Sequence, residues 1–185
     1  MKKIFSFVIT FTLLSVSIAF AQSTKPTTTK LSEASLPNGA SSLTETYGLW
    51  NVNCNLQEGK KVCFMYRQEV NDQNRVILAM NISSNSDGSL SGNLTVPFGI
   101  LVSKPIRLQV DGGKNVIETS IRTCIPAGCI VPIAFDKSYV AALRAGKKLN
   151  LAMTVSTPGE PALNDLFVQL TGFSDALNRF IALQM

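Results

Sequence analysis

The chain has 185 residues, 45% hydrophobic and 16% charged, with a formal net charge of +5, four cysteines and no histidine. That length suits one domain. The missing histidine removes Ser-His-Asp and Cys-His catalysis, histidine-ligated metals and the usual near-neutral proton shuttle.

Met1, Lys2 and Lys3 precede an uncharged run from Ile4 to Ala21 that closes on Ala19-Phe20-Ala21. A basic start, an apolar helix able to enter the translocon and small residues at its end predict a secretory signal peptide over residues 1–21, with Gln22 as the new N-terminus. An uncleaved anchor is the alternative, since the run approaches a spanning length, but five Ser/Thr residues dilute it. Cleavage leaves no integral membrane span and a balance of 15 basic to 12 acidic residues. The doublets Lys60-Lys61 and Lys147-Lys148 each lead an alternating apolar run, as solvated strand edges do. No basic cluster with interleaved aromatics points to nucleic acid. Residues 22–46 hold eleven Ser/Thr, two prolines and no aromatic. They bury too little apolar surface to offset their ordering entropy, which predicts a flexible spacer ahead of a folded domain over 47–185.

That domain is punctuated by turn signals at short intervals with apolar or β-branched runs between them, an all-β cadence. The predicted strands are 48–54, 62–70, 75–82, 90–96, 106–111, 115–124, 129–135, 148–156 and 165–171. Alternation is clearest in Ile106, Leu108 and Val110 and in Leu149, Leu151, Met153 and Val155. Asp111-Gly112-Gly113 supplies the positive φ of a tight hairpin. Asp136 is placed to cap a short helix through Arg144 that ends at Gly146, with Val140 and Leu143 facing inward. Ser174 is placed to open a C-terminal helix whose stripe of Ala176, Leu177, Phe180 and Ile181 packs on the sheets. The whole reads as a mainly β, two-layer antiparallel sandwich with one short internal helix and a C-terminal helix. Trp50 and Phe64, close to the first cysteine pair, are expected core anchors, a binding role being the alternative.

Cys54, Cys63, Cys124 and Cys129 all lie in the exported part, where disulfides persist. Four cysteines permit three connectivities. Cys54 with Cys63 and Cys124 with Cys129 are favoured, because each pair flanks a turn-like segment that closes a small loop. A zinc site is the rival, but the spacings are not knuckle spacings and no histidine can complete a mixed set.

The serines offer no G-x-S-x-G and no S-x-x-K: Gly88-Ser89-Leu90-Ser91-Gly92 puts leucine at the nucleophile position. Nucleotide and metal-loop motifs are missing, so no cofactor, no metal and no catalytic residue is predicted. A carboxylate pair could hydrolyse glycosides without histidine. Glu58, Asp72, Asp87, Asp111 and Glu160 fall in turns, and Asp136 and Asp175 have helix-start explanations. Glu69 and Glu118 remain as the one candidate inward pair. Cys124 to Cys129 contains Pro126 and Gly128 and lacks C-x-x-C, which fits a loop clamp better than redox chemistry.

Several stretches in order carry a resemblance. Trp50 to Cys54, Cys63 and Gln68 are followed by Pro97 to Leu101 and by Leu108 to Gly113. Cys124 to Cys129 and Leu170 to Leu177 complete the set. Together they resemble the invasion-associated locus B family of bacterial envelope proteins over residues 47–180. The resemblance implies an immunoglobulin-like β-sandwich, export to the periplasm, outer membrane or cell surface, and a part in host-cell entry, erythrocytes included. It brings no catalytic residues. Three functions follow for comparison. The first is a non-enzymatic envelope protein acting by contact with a protein, envelope or host-surface partner, through the spacer and the loops around Asp87 and Glu160. The second is a periplasmic binding or chaperone-like module for an envelope component or small ligand. The third is a hydrolase using Glu69 and Glu118.

Overall fold

A computed structural model of the chain describes residues 35–157, 159 and 163–184, and the expected signal peptide and most of the expected spacer lie outside them. In chain order the strands are β1 (Ser42–Tyr47), β2 (Trp50–Gln57), β3 (Lys60–Val70), β4 (Val76–Ser84), β5 (Leu90–Val96) and β6 (Ile106–Val110). There follow β7 (Val116–Thr119), β8 (Thr123–Ile125), β9 (Gly128–Phe135), helix α1 (Lys137–Ala145), β10 (Lys148–Met153), β11 (Leu163–Gln169) and helix α2 (Phe173–Gln184). They make a seven-stranded sheet ordered β1-β2-β3-β4-β5-β9-β8 and a four-stranded sheet ordered β11-β10-β6-β7. Every pairing is antiparallel. The expected sandwich with two helices is therefore the observed fold.

Alternation decides what lies inside. Val52, Cys54, Met65, Leu78, Met80, Ile82, Leu94 and Val96 from the large sheet are buried against Leu108, Leu149, Leu151 and Val168 of the small one. Helix α2 closes the end left open by the shorter sheet. Its Phe173, Ala176, Leu177, Phe180 and Leu183 are buried and it packs on β1, β2 and β3. Ile181, placed in the stripe by spacing, is instead partly exposed. Asp136 caps α1 as its position predicts, its carboxylate accepting from the Tyr139 N–H at 2.7 Å, and Gly146 follows the last turn.

The folded part begins earlier than Tyr47. Leu36 is only 2% exposed and Ser42–Tyr47 forms the edge strand β1. Its threonines are β-branched and alternate with the inward Leu43, Glu45 and Tyr47, so Ser/Thr content alone misjudges it. The single strand expected over 115–124 is two. Residues 120–122 cross from the small sheet to the large one, Ile121 packs on the core and the Arg122 N–H reaches the Ile130 carbonyl. Ser174 lies inside α2, its hydroxyl donating to the Arg144 carbonyl at 3.0 Å and so tying the two helices. Phe64 alternates onto the opposite face from Trp50 and is no core anchor.

Both expected cystines form. Cys54 and Cys63 stand directly opposite each other in β2 and β3, and Cys124 and Cys129 do the same in β8 and β9. Loops this short contribute about 2 to 3 kcal/mol each on the chain-entropy model.

The β1–β2 turn lies against the start of α2. Leu49 N–H donates to the Thr171 carbonyl at 3.1 Å. Gly48 and Gly172 both have positive φ, and a Cβ on Gly172 would fall on the Tyr47 carbonyl. Gly172→Ala should therefore cost about 3 kcal/mol in denaturant unfolding, from left-handed strain plus backbone overlap. Gly59→Ala, with φ +74 and open space around it, should cost only about 1 kcal/mol. Equal losses would show that the close approach does not matter.

Candidate functional site

The proposed carboxylate pair is not a site. Glu69 points to the inner side of the large sheet and is 12% exposed, whereas Glu118 stands on β7 of the small sheet and is 59% exposed. Each already has an arginine. Glu69 takes Arg67 in two hydrogen bonds at 3.0 and 2.6 Å, and Glu118 faces Arg107 across the strands at 3.6 Å. Glu69 does further structural work: its Oε1 accepts the Gln169 N–H at 2.8 Å, while Trp50 Nε1 donates to the Gln169 carbonyl at 2.9 Å. Trp50 also meets Phe173 edge to face at 5.0 Å. The four thiols are consumed in cystines, which leaves no free thiolate to ligate zinc.

What the strands build instead is a broad uncharged face. The outward positions of the large sheet are mostly Asn, Thr, Ser, Gln and aromatic residues, with aliphatic ones such as Val62, Val70 and Ile125 among them. Among the described residues its strands present no charged side chain there except Lys60 at the end of β3. Register lines them into rows. Thr46, Asn51, Tyr66, Asn81, Asn93 and Pro132 stand directly opposite one another across six strands. Beside them run Thr44, Asn53 and Phe64. Phe64 and Tyr66 are half-buried with ring centroids 6.0 Å apart. Neighbours fix several amides: Thr46 Oγ1 donates to Asn51 Oδ1 at 2.8 Å, and Asn55 Nδ2 to Asn53 Oδ1 at 2.8 Å, whose own Nδ2 donates to Thr44 Oγ1 at 2.9 Å. Over β4, β5 and β9 this face deepens into a groove of about 560 Å³ floored by Ser91 and Asn93 and walled by Glu118, Thr119 and Arg122. The Thr119 hydroxyl donates to the Pro132 carbonyl at 2.6 Å, holding that wall to the sheet.

A second concavity, about 800 Å³, opens between the 85–89 turn, residues 114–117 and the start of α1. Asp87 lies on its rim. Hydrogen bonds from the Ser89 hydroxyl and N–H, at 2.6 and 2.9 Å, hold its carboxyl below the usual range. The Ser138 hydroxyl does the same for Asp136. The floor carries Tyr139, stacked on Phe135 at 5.1 Å, with its buried hydroxyl unpaired among the described residues. Burial pushes that phenol up to about 12. Glu160, the other loop acid singled out, falls outside the described residues. No helix among the described residues is long and apolar enough to cross a membrane.

Fold and surface together define a disulfide-clamped β-sandwich that offers contact surfaces and assembles no catalytic group from its candidate residues. Residues 50–180 match the family model described as Invasion associated locus B (IalB) protein. The chain is 63% identical to Invasion protein B of Bartonella bacilliformis over the full length of both. It is 36% identical to an Invasion protein B homolog of Brucella abortus, covering 94% of this chain and 92% of that one. The crystal structure of invasion associated protein B from Bartonella henselae is 79% identical and superposes with a TM-score of 0.74, over 77% of this chain and 97% of that one. The chain belongs to the invasion-associated locus B family, as its motifs suggested, and is a virulence-associated, invasion-related protein. Its cystines and its family are consistent with export.

Two expectations follow from the charged groups. Glu69→Ala leaves the Gln169 N–H and Arg67 without their acceptor and should cost about 2 to 4 kcal/mol, whereas Glu118→Ala should change unfolding by less than about 0.5 kcal/mol. Comparable losses would undo the structural assignment of Glu69. Glu45 receives Arg179 at 2.7 and 2.8 Å and the Tyr47 hydroxyl at 2.9 Å. The Arg179 hydrogen bonds hold its carboxyl below the ordinary value. A lowered folded value means stability that is present above the unfolded carboxylate range and lost as pH falls through the folded one. The loss should therefore begin as pH falls into the ordinary carboxylate range, about 4, and continue below it. Denaturation midpoints across that window should fall less steeply in Glu45→Gln than in the wild type.

Proposed function

We propose that this chain is a non-enzymatic, exported envelope protein that contributes to host-cell entry, erythrocytes included, by surface contact. The observation that carries this reading is the outer face of the large sheet. It is wide, uncharged, held rigid by neighbour hydrogen bonds and placed on the scaffold rather than in its core. The family and the printed names of its relatives, invasion proteins of Bartonella and Brucella, support the setting. The exposed turn at Asp87 and the spacer ahead of Ser42 are further contact regions. After signal cleavage the chain is soluble in the periplasm or held at the outer membrane or cell surface, without a span of its own.

A deletion strain should enter erythrocytes less well than its parent, and the full-length gene should restore entry. Protease added to intact cells should cut within residues 22–41 while a periplasmic marker stays whole. Unimpaired entry by the deletion strain would end the invasion reading. Protection of the spacer on intact cells would make any effect on entry indirect.

One observation favours a second reading, a periplasmic module for a small ligand. The cleft beneath Asp87 holds an unpaired buried hydroxyl on Tyr139, and such a group ordinarily has a partner. A ligand retained through native purification and lost in Tyr139→Phe would favour this reading over the first.

A further inference from the structure

We propose that the outer face of the seven-stranded sheet binds a neutral glycan strand laid across the strands, along the row from Thr46 to Pro132. This rests on reading the chain as a contact protein and names the chemistry of the contact.

Spacing comes first. Strands lie about 4.7 to 4.9 Å apart, so the six residues of the row span about 24 Å and present one side chain at each step. That interval is close to the repeat of one hexose ring in an extended chain, so each strand can serve one sugar. Side-chain type comes second. Amides and hydroxyls both donate and accept, as sugar hydroxyls do. Tyr66 and Phe64 offer flat apolar surface for the C–H faces of pyranose rings, with the Tyr66 hydroxyl as a polar tip. Asn51 and Asn81 flank Tyr66 in register on either side, so one ring can be stacked and hydrogen-bonded at the same place.

Charge decides among occupants. From Gln22 onward the chain holds 15 basic and 12 acidic residues, yet the strands keep Lys and Arg off this face apart from Lys60 at one end, and the Arg122 and Glu118 that border the groove at the other end carry opposite charges. A polyanion would find little to neutralise it there, whereas a neutral glycan surrenders no charge hydration on binding. A second copy of the chain fits less well, because homodimer interfaces are about 65% apolar and this row is mostly amide and hydroxyl. Affinity is helped by order already in place. Thr46 holds Asn51, and Asn55 and Thr44 hold Asn53, so fewer rotamers are frozen on binding. The groove between Asn93 and Arg122 would seat one end of the strand.

The test uses the mature chain from Gln22 with its cystines intact. Cellohexaose, xylohexaose and mannohexaose serve as neutral probes and a heparin hexasaccharide as the anionic one, followed by calorimetry and amide NMR shifts. At least one neutral probe should bind, with shifts confined to the outer face and affinity unchanged up to about 0.5 M salt. Tyr66→Ala and the shape-preserving pair Asn81→Asp with Asn93→Asp should each weaken it by about tenfold or more. Phe98→Ala, on an exposed loop away from the row, should leave it unchanged. Folding of each variant is checked by its melting temperature. Failure of all three neutral probes, binding of heparin alone, or sugar-independent dimers broken by Tyr66→Ala would overturn the proposal. If no neutral probe binds but a Tyr66→Ala strain still loses host-cell entry, the glycan is wrong while the contact reading stands.

Discussion

Gln169 closes the outer edge of the small sheet, where a strand's peptide groups have no further strand to pair with. Its N–H and carbonyl are both taken by side chains of the opposite sheet, the carboxylate of Glu69 and the indole of Trp50. Most of the molecule hangs on this arrangement. Burying a sheet edge requires that every peptide group find a partner, and here the partners come from across the core. The two sheets are thereby bound at a defined offset as well as pressed together. Phe173, in edge contact with Trp50, carries the same registration into α2. Gly172 then lets the helix approach the β1–β2 turn without a side chain between them. A carboxylate that looked like half of a catalytic pair is thus a fastening.

The readable parts of the sequence are those decided within a few residues. The β5 limits, both cystines and the Asp136 and Gly146 ends of α1 depend on alternation, short loops and local caps, and all are found where they were expected. Family membership was legible for a related reason, since its motifs are short and ordered. What could not be read depends on partners far along the chain. β1 hides behind its serines and threonines until β2 is present to pair with it. The crossing at residues 120–122 leaves no mark in the alternation of Val116 to Cys124. Phe64 sits one position from a buried cysteine, and only parity in the finished sheet shows that it faces away from Trp50. The row from Thr46 to Pro132 is wholly tertiary, because six strands contribute one residue each.

The empty search for catalytic motifs and the composition of the outer face are two aspects of one economy. Several of the acidic residues in the described part are spent on geometry. Glu45 ties β1 to α2 through Arg179, Asp111 receives the Lys147 and Lys148 N–H groups at 2.8 Å each, and Asp136 caps α1. The large sheet is left with an inner face that is apolar apart from the Arg67–Glu69 and Glu45 fastenings and an outer face of uncharged polar, aromatic and aliphatic residues with Lys60 at one end.

Those two faces give the cystines a meaning beyond loop entropy. In a strand a shift of one residue exchanges the sides on which all its side chains lie. For β2 and β3 that would carry Asn51 and Asn53 into the core and lift Trp50 and Val52 into water. Cys54 and Cys63 are direct partners in the ladder, and Cys124 and Cys129 likewise at the other margin of the same sheet. Each covalent link works as a key that admits one alignment, so the oxidation that forms it also settles which surface the protein shows to the world.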